Sequence, residues 1–414
     1  VSGLTRPAEH VDWRTKGFWV PGEPVPLAEF AAARHPLFGG PFTWPVMVAR
    51  RPALEHNIAE LAAFCARHGL AFAPHGKTTM APSLFQAQLD AGAWGITAAT
   101  ANQVLACRRF GVPRVLLANE LLDAAALRWL GGEVADGLDL LLYADSAEGV
   151  AVLSAAAGPR PFRVLVELGH PGGRTGCRTT TELAAVARAV ADAPGTELAG
   201  VAGYEGGLPD VASAGAYLGT LRTATVELAE AGLLPREVVV TAGGSSYFDQ
   251  VAERLAGDWL PGRELTVILR SGAYVSHDDG FYTERTPFTR VPGSLDAALE
   301  IWAQVTSVPE PGLAIVGMGK REAPYDVGLP VPLRLRRPRP DGRAGTLHSA
   351  DGLRVTAVND HHAYLAVDAA GPRPRPGDLV CFGISHPCTA FDKWQVIPVV
   401  DDDHTVTDLI RTYF

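Results

Sequence analysis

The chain has 414 residues, too many for one ordinary hydrophobic core, so it divides into two or three domains unless a barrel accounts for most of it. With 47% hydrophobic and 20% charged residues it is neither disordered nor fibrous, and 36 Lys+Arg against 45 Asp+Glu leave a net charge of −9 with no basic stripe, which excludes general nucleic-acid binding. No apolar run reaches the roughly 18 residues of a membrane span, no basic-then-apolar leader opens the chain, and the five cysteines (Cys65, Cys107, Cys177, Cys381, Cys388) form no C-x-x-C, so a cytoplasmic protein without a membrane partner is expected.

Residues 1–45 are rich in Pro and Gly and read as an irregular arm with one short helix at Leu27–Arg34. An opening strand follows near Val46–Ala49. Eight strand-then-helix steps come next, with strands at Leu70–Ala73, Trp94–Ala98, Val115–Ala118, Asp139–Tyr143, Phe162–Leu168, Leu198–Ala202, Val238–Thr241 and Leu265–Leu269. Helices such as Glu182–Ala193 and Ala212–Ala231 separate them, the first stopped by Pro194 and Gly195. Eight such steps in roughly 210 residues predict an α/β fold, a (β/α)₈ TIM-type barrel over 46–292, with a doubly wound open sheet as the main competitor. From 293 to 414 the helical periods vanish. Short alternating runs (Ile301–Ser307, Leu313–Val316, Leu353–Val358, Tyr364–Val367, Asp378–Cys381, Trp394–Val399) predict a second, all-β C-terminal domain, with the basic insert LRLRRPRPDGRAG (333–345) as a solvated loop.

Barrels carry their chemistry at the C-terminal ends of the strands. Those ends read PHGKTT (74–79), GHPGGRTG (169–176), GYEGG (203–207), AGGSS (242–246) and RSGAY (270–274). GKTT resembles a nucleotide-binding loop, but the glycine that motif requires five residues earlier is Ala71, and Pro74 stiffens a loop already too short. Lys77 is better read as a Schiff-base lysine, its amine pKa lowered by apolar walls and by the neighbouring His75. Gly243, Gly244, Ser245 and Ser246 lead into a helix and suit a phosphate. Lysine and phosphate cradle together point to pyridoxal 5'-phosphate.

In the β domain, His386 and Cys388 are two residues apart, so on an extended segment they share one face and suit a metal ion with open positions. Asp360 or His361 is a candidate third ligand.

These motifs, taken in order from about residue 40 to the end (FAPHGKTTMAPSLFQAQLDAGAWGITAATANQ, GGRTG, GYEGG, LRSGAYVSHD, SHPCTAFDKW), resemble the D-serine dehydratase and D-threonine aldolase group of fold-type III, alanine racemase-like pyridoxal phosphate enzymes. The resemblance implies that Lys77 bonds the cofactor, with Arg174 near its phenolic oxygen, Tyr204 beside the ring, Gly243 to Ser246 at the phosphate and Tyr274 near the pyridine end. His386 matches a metal-ligand histidine. At 388 the dehydratase branch carries H-x-C and the aldolase branch H-x-D, so Cys388 favours dehydration and Zn²⁺ over Mn²⁺ or Mg²⁺. Where the family has a second basic residue after K-T, this chain has Thr79-Met80.

The function expected is a lyase on a D-configured β-hydroxy amino acid, giving a 2-keto acid and ammonia. Lys77 is the base, with His75 and Tyr204 as further catalytic residues. Retro-aldol cleavage to glycine and an aldehyde is the alternative. A racemase needs no metal on a hydroxyl, and a non-catalytic carrier of the cofactor needs no β domain. Family resemblance further implies a homodimer, with residues 275–282 (VSHDDGFY) approaching the partner.

Overall fold

The apolar run at 46–50 forms the first long strand, β1 (Val46–Arg50), and it pairs with strands from the C-terminal third of the chain, not with its sequence neighbours. The next eight are β2 (Ala71–Phe72), β3 (Ile96–Ala98), β4 (Arg114–Glu120), β5 (Asp139–Ala144), β6 (Phe162–Leu168), β7 (Thr196–Gly203), β8 (Glu237–Ala242) and β9 (Glu264–Leu269). They form one parallel sheet in the order β2-β9-β8-β7-β6-β5-β4-β3. Its two ends meet through a parallel bridge between His75 and Thr97, supported by the Thr97 N–H donating to Pro74 O at 2.9 Å. The sheet is the expected barrel. Each strand matches an expected run to within a few residues, because alternating burial writes a local period into the sequence.

Helices between the strands are set by short-range signals. Helix Thr180–Asp192 starts at a reciprocal cap in which the Thr179 hydroxyl accepts from the Glu182 N–H while the Glu182 carboxylate accepts from the Thr179 N–H. Helix Val211–Glu230 starts at Asp210, whose carboxylate accepts from the Ser213 N–H at 2.7 Å. Inside the ring, Ala73, Leu116, Leu141, Tyr143, Leu165, Ala199, Ala202, Val239 and Ile268 fill a closed core, so the barrel is packed and chemistry is left to its rim.

The computed structural model describes residues 3–414. Contacts divide them into a barrel unit, which ends at Gly272 and includes Leu61–Lys77 and Phe85–Gly272, and a second unit of Arg6–Glu60, Thr78–Leu84 and Ala273–Phe414. Residues 6–45 and β1 thus group with the β strands.

The second unit continues with β10 (Leu299–Glu310), β11 (Leu313–Val316), β12 (Val331–Arg337), β13 (Thr346–Ser349), β14 (Leu353–Val358), β15 (Ala363–Val367), β16 (Leu379–Gly383), β17 (Val396–Val400) and β18 (Val406–Arg411). The path runs β13-β12-β16-β10-β11-β15-β14; β1 pairs with β10 and β17, and β17 with β18. Part of the expected solvated loop is a strand. In β12 the alternation Leu333-Arg334-Leu335-Arg336 is a strand period: Leu335 is fully buried, and the Arg336 guanidinium stacks over Phe38 at 4.3 Å. Among the described residues no helix is long and apolar enough to cross a membrane.

Candidate active site

In the barrel unit the strand-end residues gather around one cationic group. Lys77 lies in the 3₁₀ turn Gly76–Thr78 that follows β2. That turn needs glycine at 76, where a Cβ would stand 2.8 Å from Ile96 Cγ2 and 2.9 Å from Phe85 Cζ. His75 beside it has a buried Nδ1 without a hydrogen-bond partner. Burial holds the imidazole well below its usual pKa, and the charges of Lys77, Arg270 and Arg174 push the same way, so the ring is neutral.

Arg174 projects from the loop after β6. Arg178 gathers that loop, donating to Gly173 O at 2.7 Å, Thr175 O at 2.8 Å and Gly176 O at 2.6 Å. The Arg174 guanidinium stacks over the Tyr204 ring at 4.3 Å. Tyr204 follows β7; its N–H donates to Tyr217 Oη at 3.1 Å, and that hydroxyl donates to Leu168 O at 2.5 Å. Gly206 and Gly244 leave room for the ring: a Cβ on Gly206 would collide with Tyr204 Oη, and one on Gly244 would meet Cε2 at 3.1 Å. His75, Lys77, Arg174, Tyr204 and the Gly243–Gly244 turn therefore lie together at the rim.

Three ionisable groups that the motifs leave without a role complete this region. Glu205 is fully buried and accepts from the Gly243 and Gly244 N–H groups at 2.9 and 2.7 Å. Arg270, also buried, donates to Thr241 Oγ1 at 2.6 Å and Gly203 O at 2.7 Å. Glu120 ends β4, and burial together with the charges of Glu167 and Asp145 pushes it up to about 8. Glu205 stands in the GYEGG motif, yet nothing in that motif says where its carboxylate goes. A cluster of Lys77, Arg174 and Arg270 around an unpartnered imidazole nitrogen fits an anionic, aldehyde-bearing ester such as pyridoxal phosphate. Lys77 would bond it, and Arg174, Tyr204, Ser245 and Ser246 would surround it.

The second unit holds the His386–Cys388 pair. The segment is not extended, because Pro387 takes helical dihedrals and Cys388 opens the short helix Cys388–Phe391. The turn still brings the two together. The Cys388 side chain, hydrogen-bonded to the ring, pushes His386 up to about 9 against the cost of burial, and Asp326 adds to it. His386 Nδ1 donates to Asp326 Oδ2 at 2.6 Å, and Thr389 Oγ1 donates to Asp326 Oδ1 at 2.9 Å. Thr78 Oγ1 lies 3.3 Å from Cys388 Sγ. An imidazole with its second nitrogen tied to a carboxylate, next to a thiol, is a donor set that suits zinc. The expected third ligands are engaged elsewhere: His361 Nδ1 pairs with Glu322 at 3.0 Å and Asp360 with Arg321 at 3.5 Å. Among the described residues no three His, Cys, Asp or Glu side chains converge on a metal position. Tyr274 is buried in the turn Ala273–Val275, and of the 275–282 stretch Val275, Ser276, His277 and Asp278 are buried within the chain itself.

Comparisons with known proteins agree on one lineage. The alanine racemase N-terminal domain model matches residues 50–260, and the serine dehydratase domain model matches residues 298–400. A D-threonine aldolase of Arthrobacter sp is 25% identical over 368 residues, covering 86% of this chain and 89% of that protein. The crystal structure of D-threonine aldolase from Filomicrobium marinum superposes with a TM-score of 0.74 at 23% identity, over 89% of this chain and 94% of the other. D-threo-3-hydroxyaspartate dehydratase from Delftia sp. HT23 gives a TM-score of 0.69 at 23% identity, over 90% and 97%, and a cysteine-to-alanine mutant of such a dehydratase is described in a metal-free form.

Proposed function

The chain belongs to the alanine racemase-like, fold-type III family of pyridoxal phosphate enzymes, and from that membership we propose that it is a metal-dependent lyase converting a D-configured β-hydroxy amino acid to a 2-keto acid and ammonia. When bound, pyridoxal phosphate supplies a sink for the electron pair left at Cα. His386 and Cys388 would hold a metal ion, which would supply a Lewis acid for the β-hydroxyl, and a thiolate ligand would favour Zn²⁺ over Mn²⁺ or Mg²⁺.

The chain's own groups do the rest. Lys77 Nζ takes the Cα proton. Neutral His75 adds no further positive charge beside that amine. Arg174 is held against Tyr204, which leaves both the guanidinium and the phenol at the rim. Asp326 fixes the His386 ring so that Nε2 is the nitrogen left for the metal. The proton that Lys77 takes from Cα balances the β-hydroxide that leaves Cβ, the two departing together as water, and the enamine released hydrolyses to the keto acid and ammonia.

One observation carries the reading. His386 is hydrogen-bonded both to the Cys388 side chain and to Asp326, an imidazole and thiol donor pair suited to Zn²⁺. The second reading, retro-aldol cleavage, is favoured by the aldolase activity in the name of the relative that covers 86% of this chain. Against it stands Cys388 itself.

The deciding experiment incubates the purified protein with D- and L-β-hydroxy amino acids and assays keto acid, ammonia, glycine and aldehyde in parallel, before and after chelation. Keto acid and ammonia from a D-substrate, lost on chelation and restored by Zn²⁺, are expected. Glycine and aldehyde would establish the aldolase reading, and turnover by protein shown metal-free by elemental analysis would remove the metal from the mechanism. A homodimer is proposed with the lyase; light scattering of a fully active monomer at assay concentration would refute it.

A further inference from the structure

The geometry points to Glu205 as the positioning residue of the phosphate loop: it takes the two glycine N–H groups itself and passes the cofactor's phosphate to the Ser245–Ser246 segment. This inference rests on the cofactor reading above.

The glycines of AGGSS look like phosphate donors in the sequence. In the barrel unit their N–H groups are already spent. The Glu205 carboxylate is bidentate, with Oε2 accepting from Gly243 at 2.9 Å and Oε1 from Gly244 at 2.7 Å. Its side chain is fully buried, so those bonds face no competition from water. Burial pushes the carboxyl above its ordinary pKa, while the two N–H groups and the Arg270 charge pull it back towards the ionised form. A phosphate on the same two donors would set two anions in contact, which a dry site penalises heavily.

The rest of the turn is held to match. Gly243 has φ +103, and a Cβ there would collide with Leu269 Cδ1. Gly244 O accepts from Ser271 Oγ at 2.8 Å, and Arg270 ties Gly203 O, at the base of the Glu205 loop, to Thr241 Oγ1 on β8. The loops after β7, β8 and β9 thus form one hydrogen-bonded frame. Directly beyond this frame the chain presents Ser245 and Ser246, ahead of helix Phe248–Leu255. Serine side chains just ahead of a helix are groups suited to a phosphate, and Glu205 fixes where they stand.

The test compares pyridoxal phosphate with pyridoxal, which lacks the phosphate, by titrating apoprotein and following visible absorbance. In the parent, the ratio of the two dissociation constants measures what the phosphate contributes. Glu205→Ala is expected to lower that ratio on the order of tenfold or more while leaving pyridoxal binding within about twofold, since charge-assisted hydrogen bonds position the loop. Glu205→Gln keeps one acceptor oxygen and is expected to lose less. Ser245→Ala combined with Ser246→Ala is expected to lower the ratio. An unchanged ratio in both Glu205 variants overturns the inference. So does tighter phosphate-dependent binding in Glu205→Ala, which would mean that the glycine N–H groups hold the phosphate once the carboxylate is gone. If Glu205→Ala does not fold, Glu205→Gln decides. A parent protein that binds neither compound overturns the cofactor reading, an outcome distinct from the first two.

Discussion

Asp326 accepts a hydrogen bond from Nδ1 of His386 at 2.6 Å, across sixty residues of sequence, and its other oxygen accepts from Thr389 at 2.9 Å. The carboxylate therefore sets both the tautomer and the orientation of the ring. Replacing such an outer partner commonly weakens metal binding on the order of 10- to 100-fold. Asp326→Asn is expected to lose metal in that range on dialysis, measured by elemental analysis, with the visible absorbance of bound cofactor unchanged. Retention of metal at the parent level would make Asp326 a loop tether only.

Lys77 is expected to carry the cofactor. Borohydride reduction followed by peptide mapping should place the pyridoxyl group on Lys77, and Lys77→Ala should abolish both the label and turnover. Label on Lys320 or Lys393 would move the site out of the barrel rim.

Glu120 gives a pH signature. Its carboxyl is pushed from 4.5 to about 8 in the folded apoprotein, first by burial and then by Glu167 and Asp145. Between those values the folded state binds the proton and the unfolded state does not, so stability falls as pH rises through the window. The slope is at most about 1.4 kcal/mol per pH unit. Glu120→Gln cannot titrate and is expected to unfold at a higher temperature than the parent at pH 8.5, with the gap narrowing at pH 5.5. Parallel melting curves at the two pH values would show that Glu120 is already ionised at pH 5.5.

Gly243→Ala is expected to destabilise the apoprotein by about 1–3 kcal/mol in a chemical melt, the typical cost of holding a non-glycine residue in a strained conformation. Its φ of +103 and the close approach of Leu269 Cδ1 are the causes. The same change is expected to weaken pyridoxal phosphate more than pyridoxal, because the turn fixes the serines beyond it. An apoprotein as stable as the parent would mean that the turn relaxes freely.

The sequence by itself determined the barrel. Its eight strands are apolar runs bounded by turn residues, a pattern written within a few neighbouring positions, so Leu70–Ala73 and Leu265–Leu269 are legible without knowing that β2 and β9 pair. Lys77, Arg174 and the AGGSS loop stand out as candidates for a similar reason, as unusual residues at strand ends. Tertiary structure alone decided the partners. The run at 46–49 has the same local pattern as a barrel strand, yet β1 pairs with Leu299–Trp302, some 250 residues away. The glycine N–H groups that local reasoning gives to a ligand are taken by Glu205, 38 residues upstream. His361 is drawn to Glu322 while Asp326, in no motif, reaches His386. A hydrophobic period states which face of a segment is buried, but a polar side chain takes whichever donor or acceptor the folded chain brings within about 3 Å, and no local pattern records that distance.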